Sequence, residues 1–185
     1  MKKLLLASGS PRRKELLEQL GYPFTVCKTD VEEQKQDVES ARDYVARLSL
    51  DKALAGLQQQ PDSVVLGSDT IVVVDEEVLE KPDNLEHCKV MLSKLSGREH
   101  QVITAVSVVS KQSKETQVID TKVWFKPLDE QEIEAYWQTG EPCDKAGSYG
   151  IQGIGGRFVT RIEGSYHAVV GLPLYETDQL LKRFL

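Results

Sequence analysis

Residues 3–28 read KLLLASGSPRRKELLEQLGYPFTVCK, and the signals in this stretch follow one another as strand, helix and strand. Leu4, Leu5, Leu6 and Ala7 make a short apolar run, so residues 3–7 are predicted to form a buried strand. Ser10 offers a side-chain oxygen to a helix start, and Pro11 suits the first helical position, which predicts a helix over residues 12–20. Gly21 stops that helix, and residues 24–28 are the next strand candidate. This is the opening of an α/β pattern.

The alternation continues along the chain without repeats, low-complexity tracts or a long Pro/Ser-rich linker. A polar loop, residues 29–39, leads to a helix over residues 40–57. The β-branched runs at residues 64–66 and 71–74 are interrupted by Gly67-Ser68-Asp69-Thr70, which places polar residues inside an apolar stretch as a strand interruption. Asp83 with Glu86, and Asp129 with Glu132, resemble caps of helices ending near Gly97 and at Gly140. Between them, residues 101–110 and 117–125 are predicted as long strands joined by a polar turn. After a glycine-dense stretch at residues 147–156, two short strands and a closing helix over residues 174–184 are expected. The reading is one domain, residues 1–185, of two lobes.

At 185 residues, 40% hydrophobic and 28% charged, the chain has the balance of an ordinary globular protein and not of a membrane protein or a disordered tail. Its net charge of -6 argues against general binding to nucleic acid or anionic lipid. Cys27, Cys88 and Cys143 are odd in number and far apart, which fits neither a disulfide framework nor a zinc site and suits a reduced compartment. The apolar run near the start stops after Ala7, short of a secretory h-region, so a cytoplasmic protein is expected.

Candidate chemistry begins with Ser8-Gly9-Ser10-Pro11-Arg12-Arg13. A helix N-terminus with two adjacent arginines can hold phosphate, and Arg13 shares a helical stripe with Leu16, Leu17 and Leu20. The alternative is that the arginines pair with Glu15 or Glu18 at the edge of the core. Glu32-Glu33 and Asp69-Thr70 supply carboxylates that could hold Mg²⁺ beside a phosphate, or accept a proton from water. A solvated acidic loop and a turn-capping Asp are the competing readings. Lys52 sits on the stripe of Ala41, Tyr44, Val45, Leu48 and Ala55, where an apolar residue is expected. Lys81 follows in Glu80-Lys81-Pro82, where a surface lysine is the simpler reading. The glycines around Gln152 allow close backbone approach to a ligand, and the Gln152 amide matches the edge of uracil or thymine, unless it is a plain loop residue. Neither a P-loop nor a dinucleotide fingerprint is present, and His87, His100 and His167 form no recognisable catalytic arrangement.

Taken in order, Ser8-Gly9-Ser10-Pro11-Arg12-Arg13, Ser68-Asp69-Thr70, Glu80-Lys81-Pro82, Ser96-Gly97, residues 144–153 and residues 165–173 closely resemble the Maf family of nucleotide pyrophosphatases over nearly the whole chain. The resemblance implies an elongated mixed-sheet α/β fold related to inosine-triphosphate pyrophosphatases, with two lobes around a cleft. It implies the branch acting on dTTP and UTP, because Arg12, Thr70 and Gln152 stand where the 7-methyl-GTP branch typically has tryptophan, glutamine and glutamate. Asp69 is then the proton acceptor. The resulting expectation is cleavage between the α- and β-phosphates, with Arg13, Lys52 and Lys81 neutralising phosphate charge. Ser8, Ser10, Arg12, Thr70 and Gln152 would help bind the nucleotide, and Glu33 and Asp69 would hold Mg²⁺ or Mn²⁺. A homodimer is compatible with this reading. The rival expectation is a nucleotide-binding regulator of septum formation acting through a protein partner.

Overall fold

In the computed structural model, which describes residues 2–185, strand β1 (Leu4–Ala7) is buried along its whole length. It pairs in parallel with β2 (Phe24–Cys27) on one side and β3 (Val64–Val74) on the other, the setting in which a strand reads as an unbroken apolar run. Helix α1 (Pro11–Gln19) connects β1 to β2. Ser10 is its N-cap, accepting from the Arg13 N–H, and Gly21 follows its end at φ +75°. Helix α2 (Ala41–Gln59) is capped by Ser40. A Cβ at Gly67 would fall 2.7 Å from the Ala53 amide nitrogen, so α2 can lie this close to β3 only because that strand residue has no side chain.

The remaining strands are β4 (Glu77–Leu79), β5 (Glu99–Val109), β6 (Lys114–Phe125) and β7 (Val159–Glu163). The seven strands make a mixed sheet ordered β2-β1-β3-β5-β6-β7, with β4 antiparallel to β3 and β7 antiparallel to β6.

The described residues fall into two compact units. The first comprises the chain up to Thr70 together with Thr104–Ile119 and Gly171–Leu185. Its core includes Leu5, Ala7, Cys27, Ala53, Val65 and Val109. The second comprises Ile71–Ile103 and Asp120–Val170, with helices α3 (Leu85–Leu95), α4 (Glu130–Gln138) and α5 (Tyr166–Val170). Its core is more aromatic: Phe125 meets Tyr149 edge to face at 4.7 Å, and Tyr136 meets Phe158 at 4.9 Å. The first unit closes with α6 (Leu174–Phe184), as the sequence predicts. Among the described residues no helix is long and apolar enough to cross a membrane.

Three local expectations are corrected. The polar residues Ser68-Asp69-Thr70 do not break β3, which runs unbroken from Val64 to Val74. Each finds a partner from another element: the Ser68 hydroxyl, for example, lies 2.9 Å from the carbonyls of Ala105 and of Gly171. The cap of α3 is Asn84, not Asp83, because the Asn84 side chain accepts from the His87 N–H while Asp83 pairs with the His87 ring. After the glycine-dense stretch there is one strand, β7, preceded by a 3₁₀ turn (Ile154–Phe158) and followed by α5. Glycine at positions 153, 155 and 156 favours a tight turn over a further strand.

Candidate active site

The first unit gathers five of the residues singled out by sequence. Lys52, on the inward stripe of α2, has a side chain only 12% exposed, and its ammonium lies 2.6 Å from Asp69 Oδ1 and 2.8 Å from Glu33 Oε1. Asp69 is buried in β3 and so is not the turn cap that its flanking Ser and Thr suggest. Arg13 reaches from α1 and donates through Nε to the Gly171 carbonyl at 2.8 Å and through Nη2 to the Thr70 hydroxyl at 3.2 Å. It does not pair with Glu15 or Glu18; Glu18 instead faces Lys14 at 3.7 Å. Thr70 is also 2.9 Å from the Thr104 hydroxyl.

The loop carrying Glu33 is fastened to α2. The Tyr44 hydroxyl donates to the Glu33 carbonyl at 3.1 Å, and Arg47 donates to the Gln34 carbonyl at 2.9 Å while gripping Glu39 with two nitrogens. Glu33 is therefore held over Lys52 by its backbone, although it is exposed, as is its neighbour Glu32.

Burial pushes the Asp69 carboxyl above its ordinary value, and the charge of Glu33 pushes the same way. Lys52 and Arg13 oppose this without cancelling it. Burial also lowers the Arg13 guanidinium from its ordinary value, against the upward pull of Asp69 and Glu33. A carboxylate with a raised pKa is a stronger proton acceptor, placed here beside two cations that suit phosphate oxygens.

At the start of α1 the free amide count is lower than the sequence suggests. The Ser10 N–H donates to Ser8 Oγ at 3.2 Å, the Arg13 N–H to Ser10 Oγ at 3.4 Å, and the Lys14 N–H to the Ser10 carbonyl. Pro11 has no N–H, which leaves the Arg12 amide open among the described residues of this turn. Ser8 and Ser10 accept in these bonds and keep their hydroxyl protons for another acceptor.

Glu33 and Asp69 are the residues that suit a metal. Among the described residues no group of three or more His, Cys, Asp or Glu side chains gathers to hold an ion, so a cage made only of protein ligands is absent. Two carboxylates are nevertheless a donor set that fits Mg²⁺ or Mn²⁺, whose other ligands are water and phosphate oxygens. Charge supports the fit. Arg13 and Lys52 are matched by Asp69 and Glu33, so a polyphosphate needs cations beyond those of the cluster.

Lys81 and Gln152 belong to the second unit, and both are exposed. Lys81 lies between β4 and α3. Gln152 lies in the turn before Ile154–Phe158, a turn organised around Glu141. Glu141 Oε1 accepts from the Tyr136 hydroxyl at 2.6 Å and the Gly155 N–H at 2.9 Å, and Oε2 accepts from the Ile154 N–H at 2.8 Å. Burial alone would raise the Glu141 carboxyl, but these hydrogen bonds, with Lys145 nearby, hold it below the ordinary carboxylate range. The glycines of this segment thus make room for protein atoms: a Cβ at Gly153 would sit 2.7 Å from Glu141 Cδ, and one at Gly155 2.6 Å from the Tyr136 hydroxyl.

Sequence reading missed three contributors. Gly171, at φ +135°, turns its carbonyl to both Arg13 and Ser68; it lies in the stretch 165–173 that carries the resemblance, but nothing in the sequence assigns its carbonyl this role. Thr104 backs Thr70 from the middle of a β-branched strand, where nothing distinguishes it. Glu141 follows Gly140 in an acidic, turn-like context and gives no signal either.

Comparison with known proteins adds a family to this geometry. A family model described as "Maf-like protein" matches residues 3–184. The chain is 70% identical over 183 residues to the dTTP/UTP pyrophosphatase of Vibrio parahaemolyticus, covering 98% of this chain and 97% of that one. It is 66% identical to the dTTP/UTP pyrophosphatase of Vibrio cholerae, with 98% of each chain covered, and 61% identical to that of Aliivibrio fischeri, again with 98% of each covered. Among solved structures it is similar to the Staphylococcus aureus Ham1 protein, with a TM-score of 0.47 and 17% identity over 66% of this chain and 70% of that one.

Proposed function

The chain belongs to the Maf family, and on that premise we propose that it hydrolyses dTTP and UTP to the nucleoside monophosphate and pyrophosphate. The observation that carries this reading is the buried Asp69, held at 2.6 Å by Lys52, which also meets Glu33. Water attacks the α-phosphorus, the bond from that phosphorus to the bridging oxygen breaks, and pyrophosphate leaves. Asp69 takes the proton that the water gives up. Arg13 and Lys52 face the charge that develops on the phosphate oxygens, and the Ser8 and Ser10 hydroxyls and the Arg12 amide donate to them.

Glu33 and Asp69 would hold a divalent cation, which when bound supplies charge neutralisation to the polyphosphate. Lys81 and Gln152 take roles that rest on the family resemblance: a cation for phosphate, and an amide matching the edge of the pyrimidine. With Arg12 and Thr70, Gln152 sets the preference for dTTP and UTP. The reaction takes place in the cytoplasm, in keeping with Cys27, Cys88 and Cys143 all being free thiols.

A regulator of cell division that only binds nucleotide would not require a buried base coupled to a lysine, and the names of the relatives do not favour it. The test is incubation with each common nucleoside triphosphate and Mg²⁺ or Mn²⁺, with products identified by ³¹P NMR. Monophosphate and pyrophosphate from dTTP and UTP, with little from purines, is the expected result. Diphosphate with orthophosphate, or binding without turnover, would overturn the reading.

A further inference from the structure

Gln152 stands in a segment where Gly150, Gly153, Gly155 and Gly156 should leave the chain free to move. A side chain on such a segment would lose much of its binding energy to ordering the backbone when a ligand arrives. The surroundings of the segment show how that cost is removed before binding.

The Glu141 carboxylate accepts the N–H groups of Ile154 and Gly155, which fixes the chain after Gln152. The Tyr136 hydroxyl donates to the same carboxylate and accepts the Gly150 N–H at 3.2 Å, which fixes the chain before it. Tyr136 is itself fully buried and packed edge to face on Phe158. Lys145 completes the frame, donating to the Glu141 main-chain carbonyl at 2.8 Å and running beneath Gly150, where a Cβ would come 2.7 Å from its Cε. Hydrogen bonds to an ionised carboxylate are about twice as strong as neutral ones, so Glu141, with Tyr136 relaying to Gly150, holds both ends of this short segment. Gly150, Gly153 and Gly155 each face one member of this frame: Lys145, Glu141 and Tyr136 respectively.

We propose that Glu141 is a positioning residue for nucleotide selection: by gripping the Ile154 and Gly155 amides and the Tyr136 hydroxyl, it holds Gln152 preorganised for the pyrimidine. The inference rests on the reading that Gln152 contacts the base. Glu141 itself touches no substrate.

The test compares Glu141→Gln, Gln152→Ala and the double variant by steady-state kinetics with dTTP and UTP, alongside amide hydrogen exchange. A carboxamide at position 141 turns an N–H₂ group toward groups that are themselves donors, so at least one of the three bonds is lost. Glu141→Gln is expected to raise KM about tenfold with little change in kcat, the size of effect that losing a hydrogen bond to a charged group brings. The Ile154 and Gly155 amides should exchange faster, and Glu141→Gln should add nothing further to KM in the Gln152→Ala background.

Unchanged KM in Glu141→Gln, with Gln152→Ala raising it, would overturn the positioning role and leave the reading of Gln152 intact. Unchanged KM in Gln152→Ala would overturn both. A fall in kcat with KM unchanged, or full additivity in the double variant, would also overturn the proposal by showing that Glu141 acts elsewhere. Should Glu141→Gln fail to fold, Tyr136→Phe removes the hydroxyl that joins Glu141 to Gly150, and a KM rise of at least about threefold is expected from losing its bonds to the Glu141 carboxylate and the Gly150 N–H. No rise in that variant would count against the proposal.

Discussion

Asp69 and Glu141 are both carboxylates with a lysine nearby, yet the protein moves their proton affinities in opposite directions. Asp69 is buried, meets the Lys52 ammonium, and has Arg13 close by, and its pKa still rises because burial outweighs those charges. Glu141 receives a hydroxyl and two amide protons, and its pKa falls. The difference lies first in burial: Asp69 is almost wholly enclosed, so desolvation outweighs the Lys52 hydrogen bond and the two cations, whereas Glu141 is less enclosed and its three donors prevail. The more deeply buried carboxylate is shifted toward holding its proton, and the less buried one, supplied with a hydroxyl and two amides, stays charged and grips the backbone.

The sharpest way to break this contrast is Asp69→Asn. Turnover should fall roughly 10²–10⁴-fold, the usual weight of a general base. Stability should move the other way. The unfolded chain gives up the Asp69 proton at a lower pH than the folded chain, so ionisation costs the native state stability as pH rises through and above the ordinary carboxylate range. The melting temperature of the Asn variant relative to the native chain should therefore be highest at neutral pH and decline as pH falls through that range. A variant that loses stability at neutral pH would mean that the Asp69 carboxylate is well compensated.

Removing the cation comes next. Lys52→Met should lower kcat/KM roughly 10²–10³-fold, in line with loss of one electrostatic donor at a developing charge. It should also move the acidic limb of the pH profile to higher pH, because Asp69 loses its main opposing charge. An unmoved limb would separate that limb from Asp69.

Glu141→Gln should show the opposite pH behaviour to Asp69→Asn. The native chain should be more stable than the variant by about 1 to 2 kcal/mol at neutral pH. That advantage is present above the ordinary carboxylate range and is lost as pH falls through the lowered pKa of Glu141. Chemical denaturation at pH 7 and in steps from pH 5 down to pH 3 checks this. The smallest effect belongs to a pair of glycines: Gly153→Ala pushes a methyl into Glu141, whereas a Cβ at Gly9 meets nothing within 4 Å. Gly9→Ala should change stability by less than about 0.5 kcal/mol, and Gly153→Ala by more. Equal values would mean that the Glu141 frame is looser than its geometry.

Much of the first unit is legible in the chain itself. Ser10-Pro11 and Gly21 mark both ends of α1 through local chemistry, and the periodicity of α2 places Lys52 on its inward face. Asp69 stands out as a charge among apolar neighbours. That β3 runs straight through it was not legible, because the groups that satisfy Ser68 come from Ala105 and Gly171, far away in sequence. The choice of Asn84 over Asp83 depends on the pairing of Asp83 with His87, and two adjacent cap residues look alike on paper. The glycine-dense segment was visible as such, but its reason was not. Glycine advertises space without saying whether a ligand, or Glu141 and Tyr136, will fill it.

The most direct measurement is turnover of dTTP in H₂¹⁸O, with the native chain and with Asp69→Asn, followed by mass spectrometry of both products. One ¹⁸O atom in the monophosphate, unlabelled pyrophosphate, and almost no labelled product from the Asn variant is the outcome that attack at the α-phosphorus by a water deprotonated at Asp69 requires. Label in pyrophosphate or orthophosphate, or undiminished labelling with Asn at position 69, would contradict it.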